Sequence, residues 1–131
     1  MPYNILVVDD DKNTAVYLAD LLRLLGHNVS VAFGPRGALY KLNNGMPDML
    51  FLDVNMPGVD GLEICRFLRR DPATANVPVI IVSANDEKAH QDAAFLAGAN
   101  YYIVKPAMLD DLEKAIAEVM APATPSERSL G

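Results

Sequence analysis

Ile5-Leu6-Val7-Val8-Asp9-Asp10-Asp11 runs four apolar residues straight into three carboxylates. A strand with one solvated face alternates apolar and polar residues, whereas a strand covered on both faces is apolar at every position. This stretch therefore predicts an inner strand of a parallel sheet whose carboxyl end delivers acid groups. Val79-Ile80-Ile81-Val82 repeats the pattern and ends at Ser83. With the first run taken as residues 3–8 and the other as 79–82, further β-rich runs lie at 29–33, 49–52 and 101–104.

The segments between these runs carry helical periodicity. Ala15, Leu18, Ala19, Leu22 and Leu25 follow the i, i+3, i+4, i+7 rule, and Gly26 stands where a helix would be terminated. Leu39 and Leu42 mark a shorter second helix that stops near Asn44-Gly45, and Ile64, Cys65 and Leu68 mark a third ending before Asp71-Pro72. The fourth, about 87–97, is alanine-rich with only Phe95 and Leu96 as large apolar groups, so it is predicted to pack least firmly. The fifth places Leu109, Leu112, Ile116 and Val119 on one face. Strand and helix alternate, and parallel neighbours need helical crossovers, so the fold class is a doubly wound α/β domain. It is expected to span 1–120, with the Pro-, Ser- and Thr-containing stretch 121–131 as a flexible tail or linker.

Composition narrows the function. A chain of 131 residues accommodates one domain of common size. The net charge of −6 opposes phosphate backbones, and no Lys/Arg stripe offsets it, so direct nucleic-acid binding is not expected. Apolar runs are far too short for a bilayer, and Met1-Pro2-Tyr3-Asn4 lacks the layout of a signal peptide, which points to the cytoplasm. Cys65 is the single cysteine, which rules out an intrachain disulfide and fits buried filler. His27 and His90 read as surface residues rather than ligands.

In open α/β sheets ligands sit beyond the carboxyl ends of the strands, near the point where the winding reverses. Those ends carry Asp9, Asp10 and Asp11, then Asp53, then Ser83, then Lys105-Pro106. If the first and third strands are neighbours, about 4.8 Å apart, three carboxylates crowd one small volume and repel each other without a cation. Mg²⁺ suits such a site, because it binds through one or two carboxylates plus waters and phosphate oxygens. An Asp can act as a nucleophile towards phosphorus, a lysine supplies a mobile positive charge, and a serine hydroxyl can bond a phosphoryl oxygen. Each residue also has a simpler reading. Asp10 or Asp11 can cap the first helix, Asp53 can be a turn residue, Ser83 can cap the fourth helix, and Lys105 alone would be solvated. Tyr101 and Tyr102 face opposite ways, and either can be plain packing.

Taken together, Asp9-Asp10, Asp53, Ser83 and Lys105-Pro106 stand in an order and at intervals that resemble response-regulator receiver domains, the phosphoacceptors of two-component signal transduction. The likeness extends over roughly residues 3–120 and includes Val7-Val8-Asp9-Asp10-Asp11, Leu52-Asp53-Val54-Asn55-Met56-Pro57-Gly58-Val59-Asp60-Gly61 and Val104-Lys105-Pro106. It implies a flavodoxin-like sheet of strand order 2-1-3-4-5. It also implies that Asp53 accepts a phosphoryl group from a phosphohistidine on a sensor histidine kinase or phosphotransfer protein. On this likeness Asp9, Asp10, Asp53 and the Asn55 backbone carbonyl hold Mg²⁺, Ser83 and Lys105 contact the phosphoryl oxygens, and Tyr102 is an aromatic switch responding to Ser83. Lys105-Pro106 is expected to be cis. An output partner or domain is implied, with a phosphorylation-dependent dimer among the outcomes and no membrane contact. The chain departs from the family at Ser83, where threonine is commoner, and at Ala107, where phenylalanine is frequent; the second leaves less apolar area for docking.

Three other functions compete. A haloacid-dehalogenase-like phosphatase needs a second Asp two residues after its nucleophile, and Asn55 stands there, unable to exchange a proton as required. A pseudo-receiver would usually have lost Asp53, Lys105 or one of the acidic pair. A nucleotide-binding protein would carry a Gly-rich loop after the first strand, where this chain has carboxylates.

Overall fold

The computed structural model describes residues 2–53 and 61–121. Strand β1 (Asn4–Val8) leads to helix α1 (Lys12–Leu24), β2 (Asn28–Ala32) to α2 (Pro35–Asn43), and β3 (Met49–Leu52) to α3 (Gly61–Arg70). Strand β4 (Val79–Ser83) precedes α4 (Lys88–Leu96), and β5 (Tyr101–Val104) precedes α5 (Leu109–Met120). The five strands form one parallel sheet in the order β2-β1-β3-β4-β5, which is the flavodoxin-like topology expected.

Strands β1, β3 and β4 are apolar along their inner positions because both faces are covered. Leu6, Val8, Leu50, Leu52 and Ile81 pack with Leu42, Cys65, Leu68 and Ala94 from α2, α3 and α4 on one face. Ile5, Val7, Met49, Phe51 and Ile80 pack with Leu18, Leu22, Leu112 and Ile116 from α1 and α5 on the other. The winding reverses between β1 and β3, where Val8 lies opposite Leu52. Their next residues, Asp9 and Asp53, therefore emerge side by side.

Several local expectations are corrected. Strand β2 begins and ends one residue earlier than the run 29–33, leaving Phe33 46% exposed, with the Lys12 ammonium 5.7 Å from its ring centre. Helix α2 packs through Ala38 and Leu42, while Leu39 is exposed. Residues four apart share a helix face, and Leu39, one step round from Ala38, turns away from the sheet. Leu109 is partly exposed in the first turn of α5, and Ala115 joins Leu112 and Ile116 as the buried set. Helix α1 ends at Leu24, with Leu25 as C-cap and Gly26 at φ +95°, a conformation that favours glycine. Helix α4 packs as weakly as its composition indicates: Ala94 is its buried residue, and Phe95 and Leu96 both face outward.

His27 is also more engaged than a surface residue. Its Nδ1 accepts the Tyr3 backbone N–H at 3.1 Å, and its ring stacks on Tyr3 with centroids 5.5 Å apart. Accepting that bond requires an unprotonated Nδ1, and burial lowers the imidazole pKa below its ordinary 6.5. The unfolded chain then binds this proton more readily, so the stability His27 contributes is present above about pH 6.5 and is lost as pH falls through its depressed folded value. Thermal melts from neutral to mildly acid pH are expected to show a smaller loss for His27→Gln than for the parent chain. Identical slopes would exclude the role.

Candidate functional site: an acidic cluster at the sheet's carboxyl edge

The backbone places the acid groups before any side chain is considered. Asp9 N–H donates to the Ala32 carbonyl at 3.1 Å, and Asp53 N–H donates to the Val8 carbonyl at 2.9 Å, so both residues continue the ladder just past the strand ends. Asp9 is fully buried and Asp53 is 5% exposed, while Asp10 lies at the surface. One carboxylate oxygen from each of Asp9, Asp10 and Asp53 lies within 4.8 Å of the others. Asp11 does not join them: its Oδ1 accepts the N–H groups of Asn13 at 3.0 Å and Thr14 at 3.4 Å, capping α1. The capping reading thus applies to Asp11 and leaves Asp10 for the cluster.

The electrostatics follow from burial and crowding. Asp9 accepts the Asp11 N–H at Oδ1, 2.9 Å away, yet its pKa is pushed up to about 6. Desolvation is the main cause, and the neighbouring Asp53 charge adds to it; the Asp11 N–H and Lys105 act in the opposite direction. Lys105 Nζ lies 3.4 Å from Asp9 Oδ2 and 3.8 Å from Asp53 Oδ2, one ammonium between two carboxylates. Its carrier loop is fixed by Lys105 N–H donating to the Ser83 carbonyl at 2.8 Å, followed by the cis Lys105-Pro106 bond.

Ser83 ends β4 fully buried, and its Oγ accepts the Asn85 N–H at 3.1 Å. Tyr102, half-buried against the α3/α4 side of the core, donates its hydroxyl to the Asn85 carbonyl at 2.6 Å. Tyr101 turns to the α1/α5 side. Asn55 lies outside the described residues.

The structure thus brings Asp9, Asp10, Asp53, Ser83 and Lys105 to one edge. Two further contributors had no signal in the sequence. Tyr17 on α1 donates its hydroxyl to the Ala107 carbonyl at 3.2 Å, bridging α1 to the loop that carries Lys105. Beside that bridge, next to Lys105, a hollow of about 420 Å³ is bordered by Leu18, Val82, Pro106 and the small Ala107. His90 on α4 contacts the Tyr102 hydroxyl, which corrects its reading as a plain surface residue. Both links join residues far apart in the chain, and neither side chain belongs to a periodic pattern.

The donor set fits a hard divalent cation. It is all oxygen, it gathers three carboxylates, and burial with the neighbouring Asp53 charge disfavours ionisation at Asp9, which a bound cation would offset. With a lysine and a buried hydroxyl alongside, the site can hold a cation and a phosphoryl group together.

Comparison with known proteins agrees with this geometry. Residues 5–117 match the family model of the response regulator receiver domain. Response regulator MprA of Mycolicibacterium vanbaalenii is 36% identical over 127 residues, covering 97% of this chain and 54% of that protein. A chain from Chloroflexus aurantiacus J-10-fl, assigned as a response regulator, superposes with a TM-score of 0.87 at 34% identity, covering 93% of this chain and 100% of the other. Chemotaxis protein CheY4 of Vibrio cholerae gives 0.85 at 25% identity, covering 92% and 100%. The chain belongs to the response regulator receiver domain family and is therefore a signalling domain of the two-component type. Receivers of this family bind Mg²⁺ at an acidic pocket, and Asp9, Asp10 and Asp53 form an acidic cluster here. The chain spans about half the length of relatives such as MprA. No helix among the described residues is long and apolar enough to cross a membrane.

Proposed function

We propose that this chain is a phosphorylation switch in which Asp53 accepts a phosphoryl group from a phosphohistidine on a partner kinase or phosphotransfer protein. The observation that carries the reading is the placement of Lys105 Nζ between Asp9 and Asp53, with the carboxylate of Asp10 within the same cluster. An Asp53 oxygen attacks phosphorus, a P–O bond forms, the P–N bond breaks, and the departing imidazole keeps its electron pair and takes a proton. Asp9, Asp10 and Asp53 would hold Mg²⁺ together with the Asn55 carbonyl, and the bound ion would neutralise charge on the transferring group. Lys105 holds a second positive charge against the phosphoryl oxygens, and the Ser83 hydroxyl is placed to bond one of them. Donating that bond draws the Ser83 hydroxyl towards the phosphoryl group and away from the Asn85 N–H, and frees Tyr102 to change position.

The protein turns over no external substrate on this account; transfer and later hydrolysis are reactions of its own Asp53. Residues 1–120 form the receiver and the setting is cytoplasmic; the stretch 121–131, read from its sequence as a tail or linker, lies outside the described residues from 122 onward. Output runs through a partner or a further domain, and phosphorylation-dependent dimerisation is one form it can take. The stable phosphoryl mimic beryllofluoride tests the site directly. Fluorine resonances of a bound form are expected only with Mg²⁺ and only with Asp53 intact. Binding by Asp53→Asn, or none by the parent chain, would contradict the assignment.

A further inference from the structure

Among the described residues a continuous hydrogen-bond path leaves the acidic site and ends on α4. The Asn85 N–H donates to Ser83 Oγ at 3.1 Å, and the Tyr102 hydroxyl donates to the Asn85 carbonyl at 2.6 Å. The same hydroxyl oxygen lies 2.7 Å from His90 Nδ1, and the two rings meet edge to face with centroids 5.9 Å apart at 80°.

A tyrosine hydroxyl carries one proton, and the Asn85 carbonyl, having none to give, takes it. The contact with His90 then requires the proton on Nδ1, so His90 donates to the tyrosine oxygen, which assigns the Nδ1–H tautomer. The imidazolium form carries the same Nδ1–H, so either protonation state of the ring makes this bond. The direction of donation is therefore His90 to Tyr102 to Asn85, with Ser83 at the far end.

The packing of α4 gives this bond its weight. Ala94 is the residue that α4 buries, and Phe95 and Leu96 are 47% and 90% exposed. A helix whose core contacts are Ala93, Ala94 and, at its C-cap, Ala97 has little apolar area fixing its position, so one side-chain hydrogen bond is a large share of what holds it. Lys88 pairs with Asp92 on α4 itself and adds no tie to the sheet.

We propose that His90 is a positioning residue: its Nδ1–H holds Tyr102 inward and ties α4 to the Ser83 end of the site, so that displacement of Ser83 is passed to α4. The transmission half rests on the reading of Asp53 as phosphoacceptor. The latch half stands on the hydrogen bonds alone.

The test uses the full chain with ring-¹³C tyrosine, the Tyr102 signal assigned through Tyr102→Phe, and amide exchange measured over α4. His90→Phe keeps an aromatic ring and removes the donor; His90→Asn keeps an N–H donor close to the Nδ1 position. Without phosphodonor, His90→Phe is expected to move the Tyr102 signal towards that of a solvent-exposed tyrosine. It should also speed α4 exchange about fivefold, the scale of one such bond. His90→Asn should restore most of both. An unmoved signal in His90→Phe, or equal shifts in the two variants, would overturn the latch. With beryllofluoride and Mg²⁺, α4 exchange should change in the parent chain and His90→Asn but not in His90→Phe, while all three bind the mimic. A full α4 response in His90→Phe would overturn transmission through His90. Failure of the parent chain to bind the mimic would overturn transmission together with the phosphoacceptor reading, and the comparison without phosphodonor would still decide the latch.

Discussion

Replacing Arg69 with leucine is expected to lower the unfolding free energy by ~3–4 kcal/mol, the largest loss foreseen for any single exchange outside the apolar core. The guanidinium at the end of α3 donates through Nε and Nη2 to the Gly98 carbonyl at 3.0 and 2.8 Å. Through Nη1 it reaches the carbonyls of Ala75 at 3.2 Å and Val77 at 2.7 Å, and through Nη2 also Asn100 Oδ1 at 2.7 Å. Asn100 Oδ1 in turn accepts the Val79 N–H at 2.9 Å, where β4 begins. One planar cation thus ties α3, the approach to β4 and the turn before β5. All these acceptors are neutral oxygens, several of them left unpaired by the exchange. Lysine would not restore the set, because a single ammonium cannot reproduce the planar fork. The turn is shaped to admit the side chain: Gly98 has φ +111°, and a Cβ there would lie 2.6 Å from Arg69 Cγ. Gly98→Ala should therefore destabilise as well, and less so in an Arg69→Ala background, which lacks the Cγ, Cδ and Nε atoms that the new Cβ would meet. Urea unfolding of Arg69→Leu, Arg69→Ala, Gly98→Ala and the Arg69→Ala/Gly98→Ala double variant checks both statements. Strict additivity would contradict the steric coupling, and a loss below ~1 kcal/mol for Arg69→Leu would remove the keystone role.

Asp9→Asn is expected to act with the opposite sign on the metal-free protein. A carboxyl raised from 3.8 to about 6 binds its proton more tightly in the folded chain than in the unfolded one. The associated stability is fully present below the unfolded value of 3.8 and is lost as pH rises through about 6. At neutral pH the ionised Asp9 is therefore a buried charge the fold would be more stable without. Asparagine removes that charge and retains an oxygen for the Asp11 N–H, so the variant should gain ~1–2 kcal/mol at neutral pH. The gain should shrink as pH falls through about 6 and vanish only below 3.8, where Asp9 is protonated in both the folded and the unfolded chain. Added Mg²⁺ should raise the melting temperature of the parent chain and leave the variant nearly unmoved. Thermal melts at two pH values, with and without Mg²⁺, measure all of this; a variant less stable than the parent at neutral pH without metal would refute the electrostatic account.

Much of the fold was legible because burial writes itself into residue order. Ile5 to Val8 and Val79 to Val82 are apolar throughout since helices cover both faces, and from that the doubly wound sheet follows. The acidic cluster was legible for a related reason: the switch point sets Asp9 beside Asp53, and strand ends dictate where their side chains emerge. Helix faces were read less well where a short helix meets an edge strand. Leu39 fits the periodicity of α2 as well as Ala38 does, and only the position of the sheet decides that Ala38 is covered. Arg69, Tyr17 and His90 were not legible at all. Each makes its contacts with residues distant in sequence, through side chains that a list of amino acids presents as ordinary surface groups.

The measurement that bears most directly on the phosphoacceptor assignment is the intact mass of the chain after incubation with a small-molecule phosphodonor, with and without Mg²⁺, alongside Asp53→Asn. The account predicts a single phosphoryl adduct that requires the metal and is absent from the variant. No adduct on a folded, Mg²⁺-binding parent chain that also fails to bind beryllofluoride, or an adduct that persists in Asp53→Asn, would contradict it.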